Sequence, residues 1–197
     1  MSTINEQKNE LRQNILKSRR MFSKTLIAEK SNTIAEKFLN WSLYQQSDSV
    51  MLYLAMSDEP QLDRLIEQMF ESGKRVYIPF LYNEWGKMDA AQIFGFDDIV
   101  VGKMNLRTPN PERLKIIDPT DIDLVIVPGV AFDIRGVRLG MGAGYYDRFL
   151  SKATNAVKIG VTWDKTIVDC LPSATHDISM DYLMSEERFI AIKRGKI

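Results

Sequence analysis

The residues best suited to chemistry lie in a glycine-rich stretch between positions 127 and 150, which reads VPGVAFDIRGVRLGMGAGYYDRFL. Glycines at positions 136, 140, 142 and 144 follow an apolar run at 124–127. Closely spaced glycines leave backbone N–H groups uncovered and let the chain adopt positive φ at little cost. When such a loop leads into a helix, its amides form a site for an anion. Arg138 adds donors that suit phosphate, so we predict a phosphate-binding loop.

Charged side chains elsewhere are further candidates, although each also has an ordinary structural explanation. Lys8 and Arg12 are four residues apart and share one face of a predicted helix, as a solvated cationic patch or as an anion contact. Asp147 follows the glycine loop and suits the first turn of a helix. Glu59 follows a predicted strand and suits a helix N-terminus equally well. Asp177 suits a turn or a cap.

The glycine-rich stretch closely resembles the signature of the 5-formyltetrahydrofolate cyclo-ligases, also called 5,10-methenyltetrahydrofolate synthetases. The matching pieces are Pro128-Gly129 with Phe132-Asp133, and then Arg138-Leu139-Gly140-x-Gly142-x-Gly144-Tyr145-Tyr146-Asp147. Neither the Walker loop nor the Rossmann dinucleotide fingerprint has this spacing. The resemblance extends from Lys8 to Asp181 and therefore covers nearly the whole chain.

The resemblance implies an activity, a nucleotide and a metal. The activity is ATP-dependent closure of 5-formyltetrahydrofolate to 5,10-methenyltetrahydrofolate, which releases ADP and phosphate through a phosphorylated formyl intermediate. ATP is then the co-substrate and Mg²⁺ the cofactor. Asp147 and Asp177 are the implied metal ligands, the latter within the segment His176-Asp177-x-x-Met180-Asp181. Two carboxylates together with phosphate oxygens and water suit the octahedral preference of Mg²⁺.

The resemblance also implies roles for individual residues. Arg138 and Tyr145 are the expected catalytic residues. Met56, Glu59 and Tyr145 are the expected folate contacts, with Glu59 on the pterin. The expected ATP contacts are Lys8, Arg12, Arg138, Leu139, Gly140, Met141, Gly142, Ala143, Gly144, Tyr145 and Tyr146. A half-buried core position explains one of the two tyrosines nearly as well. Arg19 and Arg20 extend the cationic patch but receive no role.

Three positions depart from the family pattern. Thr108 stands where many relatives have a glutamate before proline, and Ala143 stands where some have a lysine. Thr166, which follows Trp163-Asp164-Lys165, stands where the family has a glutamine after the preceding strand. We expect these changes at the edge of the pocket, where they affect substrate detail and leave the reaction class intact.

The hydrophobic pattern predicts alternating helices and strands, and hence an α/β fold. Helices are predicted twice within the first forty residues, the second capped by Ser23, then before Gly73 and over 144–152. Strands are predicted over 49–55, over 75–78 with Pro79 as the stop, and over 88–94, 123–127, 157–162 and 188–192. The segment with Pro109, Pro111 and Pro119 is predicted to be extended or looped. Residues 1–197 form one predicted domain, which the resemblance makes a Rossmann-like three-layer α/β/α sandwich with a mostly parallel or mixed central sheet.

Composition narrows the class of protein. The chain is 45% hydrophobic and 26% charged, which is typical of a soluble globular protein. Basic and acidic residues number 26 each, so we expect no nucleic-acid or membrane partner. The single Cys170 rules out an internal disulfide and is predicted to be a buried structural thiol. The sequence has neither the apolar core of a signal peptide nor an apolar run long enough to span a membrane, so we expect a cytoplasmic protein. We expect a monomer or a weak homodimer.

Two other classes of function remain open at this point. One is a sugar-phosphate or acyl-CoA enzyme, since related α/β folds support such reactions. It requires a base or nucleophile in the loop, and residues 140–144 offer none. The other is a folate- or nucleotide-binding module without activity, which has less need of both Asp147 and Asp177.

Overall fold

The computed structural model describes residues 3–174 and 177–193. Its first two helices begin where the sequence offers capping groups. Thr3 accepts from the backbone N–H of Glu6, whose side chain returns a bond to the N–H of Thr3, and Ser23 accepts from the N–H of Leu26. The helices in the described residues are α1 Ile4–Arg19, α2 Lys24–Leu39, α3 Ser42–Gln46, α4 Asp63–Glu71 and α5 Tyr145–Leu150.

The strands form one large mixed sheet and two small ones. In chain order they are β1 Ser49–Leu52, β2 Arg75–Leu81, β3 Met88–Ile93, β4 Ile99–Val101, β5 Arg107–Pro109, β6 Ile116–Ile117, β7 Leu124–Pro128, β8 Ala131–Asp133, β9 Arg138–Leu139, β10 Val157–Val161, β11 Ile167–Val168, β12 Tyr182–Met184 and β13 Phe189–Ala191. The large sheet has the order β13-β12-β10-β7-β1-β2-β3-β6. Its strands from β12 to β2 are parallel, and β13, β3 and β6 run antiparallel to their neighbours.

Alternate residues of the central strands face two separate cores. Val50 and Ile126 pack with α2, α3 and α4 on one face, whereas Met51 and Val125 pack with α5 on the other. Because both faces are covered, the central strands are apolar throughout. The predicted three-layer α/β/α architecture is confirmed, although α5 is short and the small sheet β11-β8-β9 shares its side.

Helix α1 packs against this small sheet rather than against the large one. Leu11, Ile15 and Leu16 contact a third core that contains Val130 and Leu139. This packing brings the polar face of α1 beside the loops that follow β7 and β9. The helix is therefore placed by its apolar stripe, and its charged residues are positioned as a consequence.

Several predicted elements are confirmed and some boundaries are wrong. Pro79 does not end its strand, because β2 continues to Leu81 and pairs Pro79 with Ala90 of β3. The register with β1 stops at Tyr77, so β2 has one neighbour at Pro79, and a proline is tolerated at such an edge. The pattern missed α3, β8, β9, β11 and β12, since elements of two to five residues are too short to show a period.

Cys170 is exposed, which contradicts its predicted burial. It follows β11 in a segment without regular structure, and the neighbouring Leu171 fills the adjacent core position in its place. No helix in residues 3–174 and 177–193 is long and apolar enough to cross a membrane.

Candidate active site

A cavity of about 1040 Å³ opens beyond the carboxyl ends of β1, β2 and β7. Ligands of open α/β sheets bind in this position. The walls combine the first half of α1, the loops after β1 and β7, the segments 79–83 and 102–108, and the glycine loop. The predicted site residues that line it are Lys8, Arg12, Met56, Glu59, Arg138, Leu139, Gly140, Met141, Gly142, Ala143, Gly144, Tyr145, Tyr146, Asp147 and Asp177.

The glycine loop connects β9 to α5 in a conformation that requires glycine. Gly142 has φ of 101° and Gly144 has φ of 67°, where residues with a Cβ are strained. Among the described residues, no protein group accepts a hydrogen bond from the backbone N–H of Gly142, Ala143 or Gly144. These N–H groups lie on the cavity, so they are able to donate to an anionic ligand.

Two cations from distant parts of the sequence meet at this loop. Arg12 Nε donates to the carbonyl oxygen of Gly140 at 2.8 Å, across 128 residues of sequence. Burial lowers the pKa of Arg12 from its ordinary value, yet an arginine stays charged at neutral pH. Arg138 is almost buried, with its side chain 7% exposed, and its guanidinium lies over the ring of Tyr146 at 5.5 Å. The loop thus has positive charge on two sides.

The two predicted metal ligands lie on segments that contact each other. Asp147 Oδ2 accepts from Arg138 Nη2 at 2.9 Å, and Asp177 Oδ2 accepts from Lys8 Nζ at 2.5 Å. The backbone N–H of Ile178, next to Asp177, approaches Asp147 Oδ1 at 3.5 Å. In the described part of the chain no group of three His, Cys, Asp or Glu residues forms a metal cage. This pair of carboxylates instead fits Mg²⁺ that arrives with phosphate ligands and water. His176 lies outside the described residues.

Glu59 and Met56 form a compact turn after β1. Glu59 is 8% exposed, and its Oε2 accepts from the backbone N–H of Met56 at 3.0 Å. Gln61 Nε2 donates to the carbonyl oxygens of both residues at 2.8 Å, which fixes the turn. Burial raises the pKa of Glu59, while the Met56 N–H and the positive charge of Arg19 act in the opposite direction. The carboxyl group therefore stands at a buried wall of the cavity.

Both tyrosines after the glycine loop line the cavity and are half-buried. The ring of Tyr145 lies 6.1 Å from that of Trp85, an exposed residue of the turn between β2 and β3. The hydroxyl of Tyr146 is buried and forms no hydrogen bond with a described residue. Burial raises the pKa of Tyr146 well above its usual value, so the group is a neutral hydroxyl.

The sequence profile of the 5-formyltetrahydrofolate cyclo-ligase family matches residues 4–186. The chain belongs to this family. A probable 5-formyltetrahydrofolate cyclo-ligase of Caenorhabditis elegans is 31% identical over 94% of this chain and 96% of its own. A probable 5-formyltetrahydrofolate cyclo-ligase of Schizosaccharomyces pombe is 32% identical over 93% of this chain and 97% of its own. The solution structure of an Aquifex aeolicus 5,10-methenyltetrahydrofolate synthetase covers 96% of this chain and 95% of its own, with a TM-score of 0.84 and 28% identity.

The three departures from the cyclo-ligase pattern fall in different environments. Thr108 and Ala143 line the cavity, as predicted. Thr166 does not line it: the residue is buried at the end of the short turn Asp164–Thr166 that follows β10. There its hydroxyl donates to the carbonyl oxygen of Trp163 at 2.8 Å and lies 2.6 Å from the hydroxyl of Thr162. The expectation that Thr166 lies at the pocket edge is wrong.

Sequence reasoning missed one group of residues around this cavity and assigned no role to Arg19. The missed residues are Lys103, Leu106 and Arg107, which line the cavity from the hairpin β4–β5. The only sequence signal for this hairpin is its prolines. Arg19 lies behind the cavity wall and contacts Glu59. A signal for Arg19 exists, since it follows Lys8 by eleven residues and Arg12 by seven, and both spacings return to the same helix face.

Proposed function

We propose that this protein catalyses the cyclisation of 5-formyltetrahydrofolate to 5,10-methenyltetrahydrofolate, with ATP as co-substrate and Mg²⁺ as cofactor. The observation that carries the proposal is the convergence of two chemically different half-sites on one cavity. One half is the cationic glycine loop, whose N–H groups donate to no other described residue, and the other is the turn that holds Glu59. Membership of the cyclo-ligase family supports the same reaction.

The reaction needs ATP because a formamide oxygen is a poor leaving group. In the proposed sequence the formyl oxygen on N5 attacks the γ-phosphorus, and ADP leaves. N10 then adds to the activated formyl carbon and loses its proton. Cleavage of the carbon–oxygen bond releases phosphate and leaves the methenyl bridge between N5 and N10. No side-chain nucleophile is required, so the protein contributes positioning and charge stabilisation.

We assign the nucleotide to the half-site at the glycine loop. The N–H groups of Gly142 and Gly144 would donate to phosphate oxygens, as such backbone concavities do in other phosphate sites. Lys8, Arg12 and Arg138, which all line the cavity, would balance the negative charge of the triphosphate. Arg138 is held by Asp147 and by the ring of Tyr146, and this preorganisation lowers the reorganisation needed during phosphoryl transfer.

Asp147 and Asp177 are the residues that would hold Mg²⁺ beside the triphosphate. When bound, the ion supplies electrophilic stabilisation of the transferred phosphoryl group. In the protein itself the carboxylates keep Arg138 and Lys8 at the phosphate side of the cavity. Both carboxylates thereby orient the cations that meet the nucleotide.

We assign the folate to the half-site at the turn after β1. The pteridine of a reduced folate carries an N–H and an amino group along one edge, and a carboxylate accepts from both. Glu59 suits this edge, and Met56 supplies an apolar contact at the same wall. Tyr145 is the first residue of α5 and lines the same cavity. Its hydroxyl is our candidate for a hydrogen bond near the formyl group.

The proposal is tested by mixing the purified protein with MgATP and 5-formyltetrahydrofolate. We expect the absorbance of 5,10-methenyltetrahydrofolate to rise with ADP in equal amounts, and neither product without ATP. Omission of Mg²⁺ should abolish both. Folate binding without either product would favour a binding module without activity, and ADP formation without the methenyl product would indicate another phosphoryl acceptor.

A further inference from the structure

Arg19 is a buried cation that the proposed chemistry does not use. It occupies the last turn of α1, and its side chain is 1% exposed. Arginine is almost never buried to this degree unless it is paired. A buried guanidinium beside a ligand cavity therefore needs an explanation beyond the packing of the helix.

The guanidinium of Arg19 connects α1 to two loops that frame the cavity. Its Nε lies 3.2 Å from Asp58 Oδ2, and its Nη2 lies 3.5 Å from Glu59 Oε1. Its Nη1 donates to the carbonyl oxygen of Gly129 at 3.3 Å, in the loop after β7. Both Glu59 and Gly129 line the cavity, whereas Arg19 does not. Arg19 thus reaches the site only through other residues.

The contacts of Arg19 with the two carboxylates are electrostatic rather than tight. Within the described residues, neither Nε nor Nη2 has a hydrogen-bond partner of good geometry. A cation at this distance acts on Glu59 mainly through its charge, which is screened little inside a protein. Glu59 Oε2 is bonded to the Met56 N–H, and Oε1 faces Arg19.

The ionised form of Glu59 is favoured by the backbone N–H of Met56 and by the charge of Arg19. Burial acts most strongly against ionisation of Glu59, and the neighbouring carboxylate of Asp58 acts in the same direction. Arg19 is the cation that opposes them. Loss of Arg19 would leave Glu59 buried beside another carboxylate, an arrangement that favours the protonated form.

We propose that Arg19 is a positioning residue for the folate half-site: it keeps the Glu59 side chain as a carboxylate, so that Glu59 accepts hydrogen bonds from the pteridine edge. This inference rests on the proposed function. It assigns no contact between Arg19 and either substrate. Arg19 also ties the loops after β1 and β7 together through Glu59 and Gly129, so both walls depend on one side chain.

The first test compares Arg19→Met and Arg19→Lys with the matched control Arg20→Met. Arg20 is the exposed residue that caps the C-terminus of α1, so its substitution removes a charge without touching the site. We expect Arg19→Met to weaken equilibrium binding of 5-formyltetrahydrofolate by roughly tenfold or more, because truncation strands a buried charge. Arg19→Lys should have a smaller effect, since it keeps the charge. Binding of MgATP should change by less than about twofold in all three variants.

The second test combines Arg19→Lys and Arg19→Met with Glu59→Gln. Glutamine cannot ionise, so in that background the Arg19 substitutions should have little further effect on folate binding. In proteins that keep Glu59, we compare the folate dissociation constant of Arg19→Met with that of the parent. Their ratio should fall as the pH rises from about 6 to about 9, because Glu59 regains its charge in the variant. A purely structural role for Arg19 would give no such dependence on pH or on Glu59.

The outcomes separate the two proposals. If Arg19→Met does not fold, the double-mutant cycle that combines Arg19→Lys with Glu59→Gln tests the role of Arg19. Three results would overturn the role of Arg19: additive effects in the cycle, a pH-independent ratio, or equal losses of folate and MgATP binding. The proposed function still stands in those cases if the parent protein converts 5-formyltetrahydrofolate. A parent that binds no 5-formyltetrahydrofolate would overturn both.

Discussion

At the scale of single residues, the glycine loop depends on a backbone conformation that other residues avoid. At Gly142 a Cβ would meet Arg12 Nη2 at 3.4 Å, and φ of 101° is strained for any residue that has one. We expect Gly142→Val to weaken MgATP binding by roughly tenfold or more, because each hydrogen bond to a charged group contributes about 1.5–3 kcal/mol. Isothermal titration with MgATP measures this.

Gly73→Val provides the matched control for this prediction. Gly73 has φ of 72° after α4, and no atom lies within 4 Å of an added Cβ. Its substitution should lower the free energy of unfolding by about 1–3 kcal/mol and leave MgATP binding unchanged. Unchanged MgATP affinity in a folded Gly142→Val protein would reduce the loop to a structural turn.

The two carboxylates at the loop permit a test of metal binding. Asp147→Asn and Asp177→Asn should each raise the Mg²⁺ concentration needed for half-maximal activity, because the ion loses one anionic oxygen. Excess Mg²⁺ should restore part of the activity. The double variant should lose less than the product of the single losses, since both residues act through one ion. Mg²⁺ titrations that overlay those of the parent would contradict the assignment.

At the scale of elements, the hairpin β4–β5 places Lys103, Leu106 and Thr108 on the cavity, and Asp98 holds this hairpin. Asp98 Oδ2 accepts from the backbone N–H of Phe94 at 2.8 Å, and Oδ1 accepts from Arg113 at 3.1 Å. The Phe94 N–H is the main cause that lowers the pKa of Asp98 below its ordinary value of 3.8. Asp98 thus favours the folded state in its ionised form.

Asp98→Asn should therefore lower stability in a pH-dependent way. At neutral pH we expect a loss of about 1 kcal/mol in the free energy of unfolding, the typical contribution of such hydrogen bonds. A carboxyl group with a lowered pKa stabilises the fold fully above its unfolded pKa of 3.8 and loses this effect as the pH falls through its folded pKa. Urea unfolding from neutral to acidic pH should show the two proteins converging in acid. A constant difference would contradict this explanation.

At the scale of the whole molecule, the small sheet packs closely on the large one at Gly160. A Cβ on Gly160, in β10, would lie 2.8 Å from Cδ1 of Phe132 and 2.8 Å from Cδ2 of Leu183. Both neighbours are completely buried, so neither can move without disturbing the core. The absence of a side chain here sets the separation between the β8 layer and the central sheet.

Gly160→Ala should consequently destabilise the protein by about 1–3 kcal/mol through overpacking. The control is Gly95→Ala, where φ of −175° is accessible to alanine and no atom lies within 4 Å of the added Cβ. This control should stay within about 0.5 kcal/mol of the parent. Chemical denaturation of both variants measures the difference. Equal stabilities would show that the two sheets have room to separate at Gly160.

The sequence by itself determined the features that depend on local chemistry. The glycine spacing before α5, the cap at Ser23, and the apolar runs of β1 and β7 follow from backbone conformation and hydrophobic period, which the linear sequence records. The family resemblance also rests on such a local string. These features were sufficient to predict the α/β class and the loop of the candidate site.

Only the tertiary structure decided which distant residues meet. Lys8 pairs with Asp177 across 169 residues, and Arg12 reaches Gly140 across 128, because α1 packs on the small sheet. The pairing of Arg19 with Glu59 depends on the same placement of α1. The continuation of β2 through Pro79 depends on its pairing with β3. These contacts form because apolar surface is buried between elements. The free energy of that burial depends on the assembled fold, so the sequence around either residue does not reveal the contact.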